Sequence, residues 1–486
     1  MKPPRILYLD IDSLRPDHLG CYGYGRTTSP QIDRVAREGI RLEQVHVSDA
    51  PCLPSRTALY SGQFGFRTGV VGHGGTAAEP RPEGVGRGFQ DWLDQVSLPA
   101  KLQAAGWHTA VISSFGQRHS ARHFYSGFRE VHNPGLNGME SGEQIQPLIR
   151  EWLETNGRRE GWYLHVNYWD PHTPYRAPRD LGNPFARDPL PSWISDEVLQ
   201  RHIAMPGPHT AQDLNMYDEA TDAKYPRMPG AIRNRADLRR VIDGYDLGVL
   251  QADRMIGEIF QFLDREKLWE ETAILVSADH GENLGELGIY AEHATADGPT
   301  CRIPWILKWP GLARGEVRKS LHYHLDWAPT LMGLLGLNSP ASWDGKSFAA
   351  SLKAGATDVG REELVFGQGA HVCQRSVRWD RYLYIKTWHC GFHLFPEEMV
   401  FDVELDPHEQ RDLAVECPKL VREGQKRREN WERSQQGGGV GDPLPLVLAE
   451  GGPWHTRGQQ LMPYLARLEQ TGRSNGATAL RRKYPR

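Results

Sequence analysis

The sequence predicts a large α/β domain followed by a smaller domain built on an antiparallel sheet. In the first part of the chain, short apolar, β-rich runs alternate with segments of helical periodicity, which is typical of an α/β architecture. Beyond residue 355, short β-rich runs alternate with turn-forming residues, which indicates neighbouring antiparallel strands. We therefore divide the 486 residues into a large domain (1–355), a small antiparallel-sheet domain (356–435) and a tail of unknown role (436–486).

The composition favours a globular protein without a polyanionic partner. Apolar residues make up 39% of the chain, charged residues 24%, and the net charge is −4, so we expect neither nucleic acid nor an anionic membrane surface as a partner. Six cysteines without paired metal-type spacing do not indicate a disulfide framework. The first apolar run, residues 6–9, is too short for a signal peptide, and no run approaches the length of a membrane span. We therefore expect a cytoplasmic protein.

Three strand-like runs are followed directly by polar residues. Residues 6–12 end in Asp10 and Asp12, residues 161–168 lead to His172, and residues 273–277 lead to Asp279 and His280. Ligand sites in open parallel sheets lie outside the carboxyl ends of the strands, which is where a metal-binding Asp is expected. We also predict helices at residues 29–39, 98–106, 241–268 and 321–337. A long insertion at residues 179–235 is expected to shape the substrate pocket.

Cys52 lies between two prolines, Pro51 and Pro54, where the chain can continue neither a helix nor a central strand. Residues 55–60 are good helix formers, so we expect Cys52 at the mouth of a helix. The free N–H groups and the dipole of such a helix end favour an anion. Arg56 is one helical turn away and could reach back toward Cys52.

Residues 52–56, Cys-Leu-Pro-Ser-Arg, resemble the Cys-x-Pro-Ser-Arg signature of the type I sulfatases, in the alkaline phosphatase superfamily. Five further blocks resemble family segments in the same order: residues 11–24, 170–175, 278–282, 326–330 and 402–413. The resemblance implies an alkaline-phosphatase-like mixed sheet sandwiched by helices, with a C-terminal α+β subdomain on an antiparallel sheet. It also implies that a formylglycine-generating enzyme oxidises Cys52 to formylglycine, whose hydrated aldehyde is the nucleophile.

The resemblance further implies one divalent metal, held by Asp12, Cys52, Asp279 and His280. An oxygen-rich ligand set favours calcium, while His280 leaves magnesium or manganese open. The residues that the resemblance assigns to catalysis are Cys52, Arg56, His172 and His293. The sequence does not decide which of the two histidines protonates the leaving alcohol. His73 is a candidate for substrate binding.

Two departures from the family pattern bear on the site. Ser13 stands where many relatives carry a second Asp, so the metal has one carboxylate ligand fewer. Asp10 could replace that ligand, but we favour a role in which Asp10 supports the metal ligands without binding the metal. The family's Gly-Lys-Trp-His, whose Lys and His contact sulfate, is replaced by Ser-Ser-Phe-Gly at residues 113–116. Arg118 or His119 could replace these contacts only by a different route.

We expect a metal-dependent sulfuric ester hydrolase that acts on a sulfated carbohydrate or another small sulfate ester. A phosphonate monoester or phosphodiester hydrolase on the same scaffold is the nearest alternative, because of the missing sulfate contacts and the Asp-His metal pair. A second alternative is a non-catalytic protein that binds a metal and an anion and in which Cys52 stays a thiol.

Overall fold

The computed structural model describes residues 3–81, 93–436, 441–457 and 460–484. The strands in these residues are β1 (Arg5–Ile11), β2 (Ile40–His46), β3 (Asp49–Ala50), β4 (His108–Ile112), β5 (Glu130–His132), β6 (Trp162–Tyr168), β7 (Thr272–Ser277), β8 (Asn283–Leu284), β9 (Tyr290–Glu292), β10 (Arg302–Lys308), β11 (Glu316–Tyr323), β12 (Glu363–Gln368), β13 (Cys373–Trp379), β14 (Tyr382–His389) and β15 (Glu398–Asp402). The α-helices are α1 (Pro30–Glu38), α2 (Cys52–Ser61), α3 (Gly65–Thr68), α4 (Leu93–Val96), α5 (Leu98–Ala104), α6 (Phe115–Arg118), α7 (Gly142–Asn156), α8 (Asp196–Ala204), α9 (Arg235–Arg265), α10 (Gly298–Cys301), α11 (Trp327–Leu335), α12 (Pro418–Gln436), α13 (Leu444–Ala449), α14 (Leu461–Gln470) and α15 (Ser474–Lys483).

The large sheet is mixed, as predicted. Its eight strands run in the order β11-β2-β10-β7-β1-β6-β4-β5, and β10 is antiparallel to both of its neighbours. Every residue of β1, β6 and β7 is buried. Because successive side chains of a strand point to opposite faces, this burial means that both faces of the sheet centre are covered, which confirms the predicted sandwich.

The three central strands are parallel neighbours, so their carboxyl ends meet at one edge of the sheet. β1 pairs in parallel with β6 on one side and with β7 on the other. The backbone N–H of Asp12 donates to the carbonyl of Tyr168 at 2.8 Å, which extends the β1–β6 pairing one residue beyond the strand. The polar residues after each strand are therefore brought together.

The second sheet has the strand order β15-β14-β13-β12-β3, and its strands β12 to β15 are the antiparallel neighbours expected beyond residue 355. Its fifth strand, β3, was not predicted and pairs in parallel with β12. The two residues of β3 immediately precede Pro51 and Cys52, so the small sheet directly fixes the segment that carries Cys52. The proposed boundary between residues 355 and 356 stays a prediction.

Two local predictions were wrong. A helix was predicted at residues 321–337, but this segment begins with the last residues of strand β11. A 3₁₀ turn follows at His324–Asp326, and the α-helix begins at Trp327. Pro329 explains the shift, because a proline is tolerated in the first turn of a helix but not in its interior. The helix predicted to follow Pro54 begins at Cys52 instead, since a proline in the first turn removes an N–H that has no intrahelical partner.

The insertion at residues 179–235 and the tail both carry structure beyond what the sequence indicated. The insertion contains α8, which is capped by Ser195: the hydroxyl of Ser195 accepts a hydrogen bond from the N–H of Val198 at 3.2 Å. The tail forms α13, α14 and α15. Among the described helices, none has the length and apolar character needed to cross a bilayer.

Candidate active site

Asp12, Asp279 and His280 come together at the carboxyl ends of the neighbouring strands β1 and β7. Their ligand atoms and the Sγ atom of Cys52 all lie within 4.8 Å of one another, and all four side chains are buried. Nε2 of His280 lies 3.0 Å from Sγ of Cys52 and 3.4 Å from Oδ2 of Asp279. The four residues predicted to hold a metal therefore form one compact group.

The chemistry of this group fits a divalent cation. Nδ1 of His280 donates to the carbonyl of Gly281 at 2.8 Å, which leaves the lone pair of Nε2 facing two carboxylates. Burial and the neighbouring Asp279 raise the pKa of Asp12 well above its usual range, because two buried carboxylates repel each other. A cation bound between these groups would offset the repulsion between the two carboxylates and would also accept the lone pair of His280 Nε2.

Cys52 is the first residue of helix α2 and follows a cis peptide bond between Ala50 and Pro51. Its side chain is only 1% exposed, and burial raises the pKa of its thiol even though His293 acts in the opposite direction. An unmodified Cys52 at this position is therefore a protonated thiol and a poor nucleophile.

Arg56 does not reach back to Cys52 but forms ion pairs with three carboxylates. Its guanidinium lies 2.8 Å from Asp279, 2.9 Å from Asp10 and 3.2 Å from Asp12. It also covers the ring of Phe115 at 4.6 Å. Arg56 thus offsets part of the negative charge around the metal group and fixes the orientation of the carboxylates.

Asp10 and Ser13 take supporting positions. Oδ2 of Asp10 faces Arg56 and Nε2 of His165, the latter at 3.0 Å, so this carboxylate lies behind the metal group. The hydroxyl of Ser13 donates to Oδ1 of Asp12 at 3.1 Å, and its N–H donates to Asp279 at 3.3 Å. Where many relatives carry a second Asp, this chain therefore has a residue that orients the remaining ligands.

His293 is placed between a sulfur and two carboxylates. Its Nε2 lies 4.0 Å from Sγ of Cys52 and 2.9 Å from Oε1 of Glu292, while its Nδ1 lies 3.5 Å from Oε2 of Glu282. Burial alone would lower the pKa of His293, but Glu292, Cys52 and Glu282 raise it well above its usual range. The carboxylates around His293 therefore favour its cationic form.

His172 has the opposite environment. Its Nδ1 contacts the carbonyl oxygen of Thr173, so in the neutral ring this nitrogen carries the proton and Nε2 keeps its lone pair. Nε2 lies 4.0 Å from Oδ1 of Asp12. Burial and the nearby Arg118 lower the pKa of His172 well below its usual range. His172 is therefore a neutral imidazole that presents the lone pair of Nε2 to the site.

A cavity of about 770 Å³ opens above Cys52, and its wall includes His73, the candidate substrate-binding residue, together with Arg118 and His119. The wall residues that the sequence analysis did not single out include His209, Glu292, His371, Trp454 and His455. Glu292 adjoins His293 in the sequence, which was an available signal. Trp454 and His455 lie in the tail, where no motif marks them.

The cavity histidines form a hydrogen-bonding surface. Ring nitrogens of His73, His371 and His455 lie within 4.8 Å of one another. The rings of His371 and His455, however, are stacked with centroids 4.1 Å apart and planes 21° from parallel. Their in-plane lone pairs consequently run side by side and do not converge on one point, which favours hydrogen bonds to a ligand over a second metal.

Comparison with known proteins assigns the chain to a family. The profile of the family described as "Sulfatase" matches residues 4–337, and that described as "N-sulphoglucosamine sulphohydrolase, C-terminal" matches residues 285–427. An N-acetylglucosamine-6-O-sulfatase of Bacteroides thetaiotaomicron is 23% identical over 85% of this chain and 83% of its own length.

Two solved structures share the fold. One is a protein in complex with its substrate D-glucosamine-2-N,6-O-disulfate, with a TM-score of 0.69 and 18% identity over 90% of this chain and 99% of that chain. The other is the phosphonate monoester hydrolase of Agrobacterium radiobacter, with a TM-score of 0.66 and 17% identity over 89% of this chain and 96% of that chain.

The chain belongs to the sulfatase family, in the alkaline phosphatase superfamily. It is a hydrolase of sulfate esters. The alternative of a non-catalytic protein that binds a metal and an anion is therefore wrong. The family is metal-dependent, and the group formed by Asp12, Cys52, Asp279 and His280 is its candidate metal site.

Proposed function

We propose that this sulfatase hydrolyses a sulfated carbohydrate with a formylglycine made from Cys52 and one bound calcium ion. The observation that carries the proposal is the position of Cys52, whose side chain belongs to the buried metal group and also lines the cavity. An aldehyde hydrate at residue 52 would supply the attacking hydroxyl at the one point where the metal group and the cavity meet.

The metal would be held by Asp12, Asp279, His280 and the modified residue 52. When bound, the cation lowers the pKa of a hydroxyl and neutralises negative charge on sulfate oxygens. Calcium suits a site in which carboxylate oxygens predominate, while magnesium or manganese would accommodate the imidazole of His280. Metal analysis of the purified protein decides among the three.

The roles of the two histidines follow from their partners. His293, held between Glu292 and Glu282, carries the proton that the leaving alcohol requires. His172, whose Nδ1 is bound to a backbone carbonyl, has a free lone pair on Nε2 with which to take a proton from the hydroxyl of residue 52. Arg56 keeps Asp12 and Asp279 in place throughout.

A carbohydrate substrate is supported by the relatives and by the cavity. One relative is named for N-acetylglucosamine 6-O-sulfate, and one solved neighbour was captured with a disulfated glucosamine as its substrate. The cavity wall is rich in groups that hydrogen-bond hydroxyls, including His73, His209 and Asn215. Maturation requires a formylglycine-generating enzyme in the same cell.

The test is a rate comparison on paired esters by protein that was co-produced with a formylglycine-generating enzyme. We expect sulfated monosaccharides to be hydrolysed faster than phosphonate monoesters or phosphodiesters with the same alcohol. The phosphonate alternative has its own support in the structural neighbour that hydrolyses phosphonate monoesters. A preference for phosphonate esters over every sulfate ester would favour that alternative.

A further inference from the structure

The tail contributes one wall of the active-site cavity through Trp454 and His455. The N–H of His455 donates to the carbonyl of Ala370 at 3.1 Å, and its own carbonyl accepts a hydrogen bond from the hydroxyl of Tyr217. Nε2 of His455 lies 3.1 Å from Nδ1 of His73. His455, and with it the neighbouring Trp454, is therefore held by three separate parts of the chain that border the cavity.

Trp454 presents an open aromatic surface on this fixed support. The backbone of Gly74 lies directly against the indole, since a Cβ atom on Gly74 would fall 2.2 Å from Cδ2 of the ring. The side chain is nevertheless 48% exposed. One face of the indole is thus covered by Gly74, the guanidinium carbon of Arg457 lies 5.6 Å from the ring centroid, and the part of the residue that stays exposed includes atoms that line the cavity.

The other large aromatic side chain of the described wall, Tyr225, is only 9% exposed. The insertion supplies His209, Asn215 and Asp222 to the same cavity, and the large domain supplies His73. An exposed indole beside amide, carboxylate and imidazole groups matches a pyranose ring, which has an apolar C–H face and polar hydroxyls around its edge.

We propose that Trp454 is the platform on which the pyranose ring of the substrate stacks, so that the tail determines specificity for carbohydrate sulfates. This inference rests on the proposed carbohydrate activity. Stacking would stabilise the bound substrate and the transition state equally. Its loss should therefore weaken substrate binding and leave the rate of the chemical step unchanged.

The experiment compares full-length wild type with Trp454→Leu and Trp454→Phe, each matured with a formylglycine-generating enzyme. Trp388→Leu is the matched control, because Trp388 is 39% exposed and lies outside the cavity lining. Each protein is assayed on the sulfated monosaccharide that wild type hydrolyses fastest and on propyl sulfate, which has no ring. Thermal unfolding is recorded for all four proteins.

We expect Trp454→Leu to raise KM for the sulfated monosaccharide about tenfold with kcat nearly unchanged, and Trp454→Phe to have a smaller effect. Propyl sulfate kinetics and the control should not change. If both Trp454 variants keep the wild-type KM for the sugar, the stacking inference is wrong although the carbohydrate activity stands. If wild type hydrolyses propyl sulfate but no sulfated sugar, both the carbohydrate proposal and the stacking inference are wrong.

Discussion

His293 and His172 show how two residues of one type acquire different roles from their hydrogen-bond partners. Both lie near Sγ of Cys52, within a group whose ligand atoms are no more than 4.8 Å apart. Two carboxylates surround His293, whereas a backbone carbonyl fixes the proton of His172 on Nδ1. From this difference we propose His293 as the acid and His172 as the base, a choice that the sequence had left open.

Replacing His293 with Gln should affect esters according to their leaving group. A sugar alcohol needs a proton as it departs, whereas a nitrophenolate does not. We therefore expect His293→Gln to lose at least about 100-fold in kcat on a sulfated sugar and much less on nitrophenyl sulfate. Steady-state kinetics on both esters, with His172→Gln as the comparison, tests this. Equal losses on the two esters in His293→Gln would contradict the assignment.

The sequence predicted the reacting residues better than their partners. Cys52, Asp12, Asp279 and His280 form one group because each follows a strand end or a proline-defined turn, and such signals are local. Glu282 and Glu292 were not singled out, since acidic residues in loops are usually solvated and only the fold buries them. The three carboxylate partners of Arg56 could not be predicted, because they lie in or just after strands β1 and β7, which are distant from helix α2 in the sequence.

At the scale of elements, the ends of β6, β1 and β7 create the site, and the tail completes it. Apolar runs identified the central strands in advance. The two-residue strand β3 was missed because a segment that short has no periodicity to detect. Helices α14 and α15 were missed because nothing in the tail sequence indicates where it docks.

The docking of α14 and α15 depends on Asp213, a fully buried carboxylate. Oδ2 of Asp213 lies 2.6 Å from Arg473 and Oδ1 lies 2.6 Å from Arg467, and the hydroxyl of Tyr464 donates to Oδ2 at 2.8 Å. Asp213→Ala would leave the buried Arg473 uncompensated, at a cost of roughly 3–5 kcal/mol. We expect faster hydrogen exchange throughout residues 461–484 and a higher KM for sulfated sugars.

Glu469→Ala provides the control, because Glu469 forms an exposed ion pair with Arg481. Exposed pairs contribute little to stability, so exchange in α14 and α15 should match wild type in this variant. Unchanged exchange in Asp213→Ala would show that the ion pairs do not hold the tail.

For the whole molecule, buried histidines predict a loss of stability in weak acid. Burial lowers the pKa of His324 to about 4 and of His393 to about 3. Both values lie below the ordinary value near 6.5, so the unfolded chain binds protons that the folded chain excludes. Stability from these groups is complete above pH 6.5 and declines as the pH falls toward 4, by on the order of 2 kcal/mol per histidine at pH 5.

Several buried carboxyl groups act in the opposite direction, because burial raises the pKa of Asp49 and of Asp253 to about 7 and that of Asp170 and of Asp297 to about 6. Folded protein therefore binds protons at these positions below pH 7 and gains stability there. The histidines with lowered pKa are more numerous in the described residues, so we expect a net decrease in Tm between pH 7 and pH 5. His393→Gln should show a shallower decrease. A Tm that rises over this interval would contradict the prediction.

The measurement that tests the central claim most directly is peptide mass spectrometry across Cys52, on full-length protein co-produced with a formylglycine-generating enzyme. We predict a peptide lighter by about 18 Da than the cysteine form, as expected for conversion of the thiol to an aldehyde. We also expect sulfatase activity to rise in proportion to the converted fraction. A Cys52 that stays a thiol beside a competent maturation enzyme, in protein that still hydrolyses sulfate esters, would contradict the account.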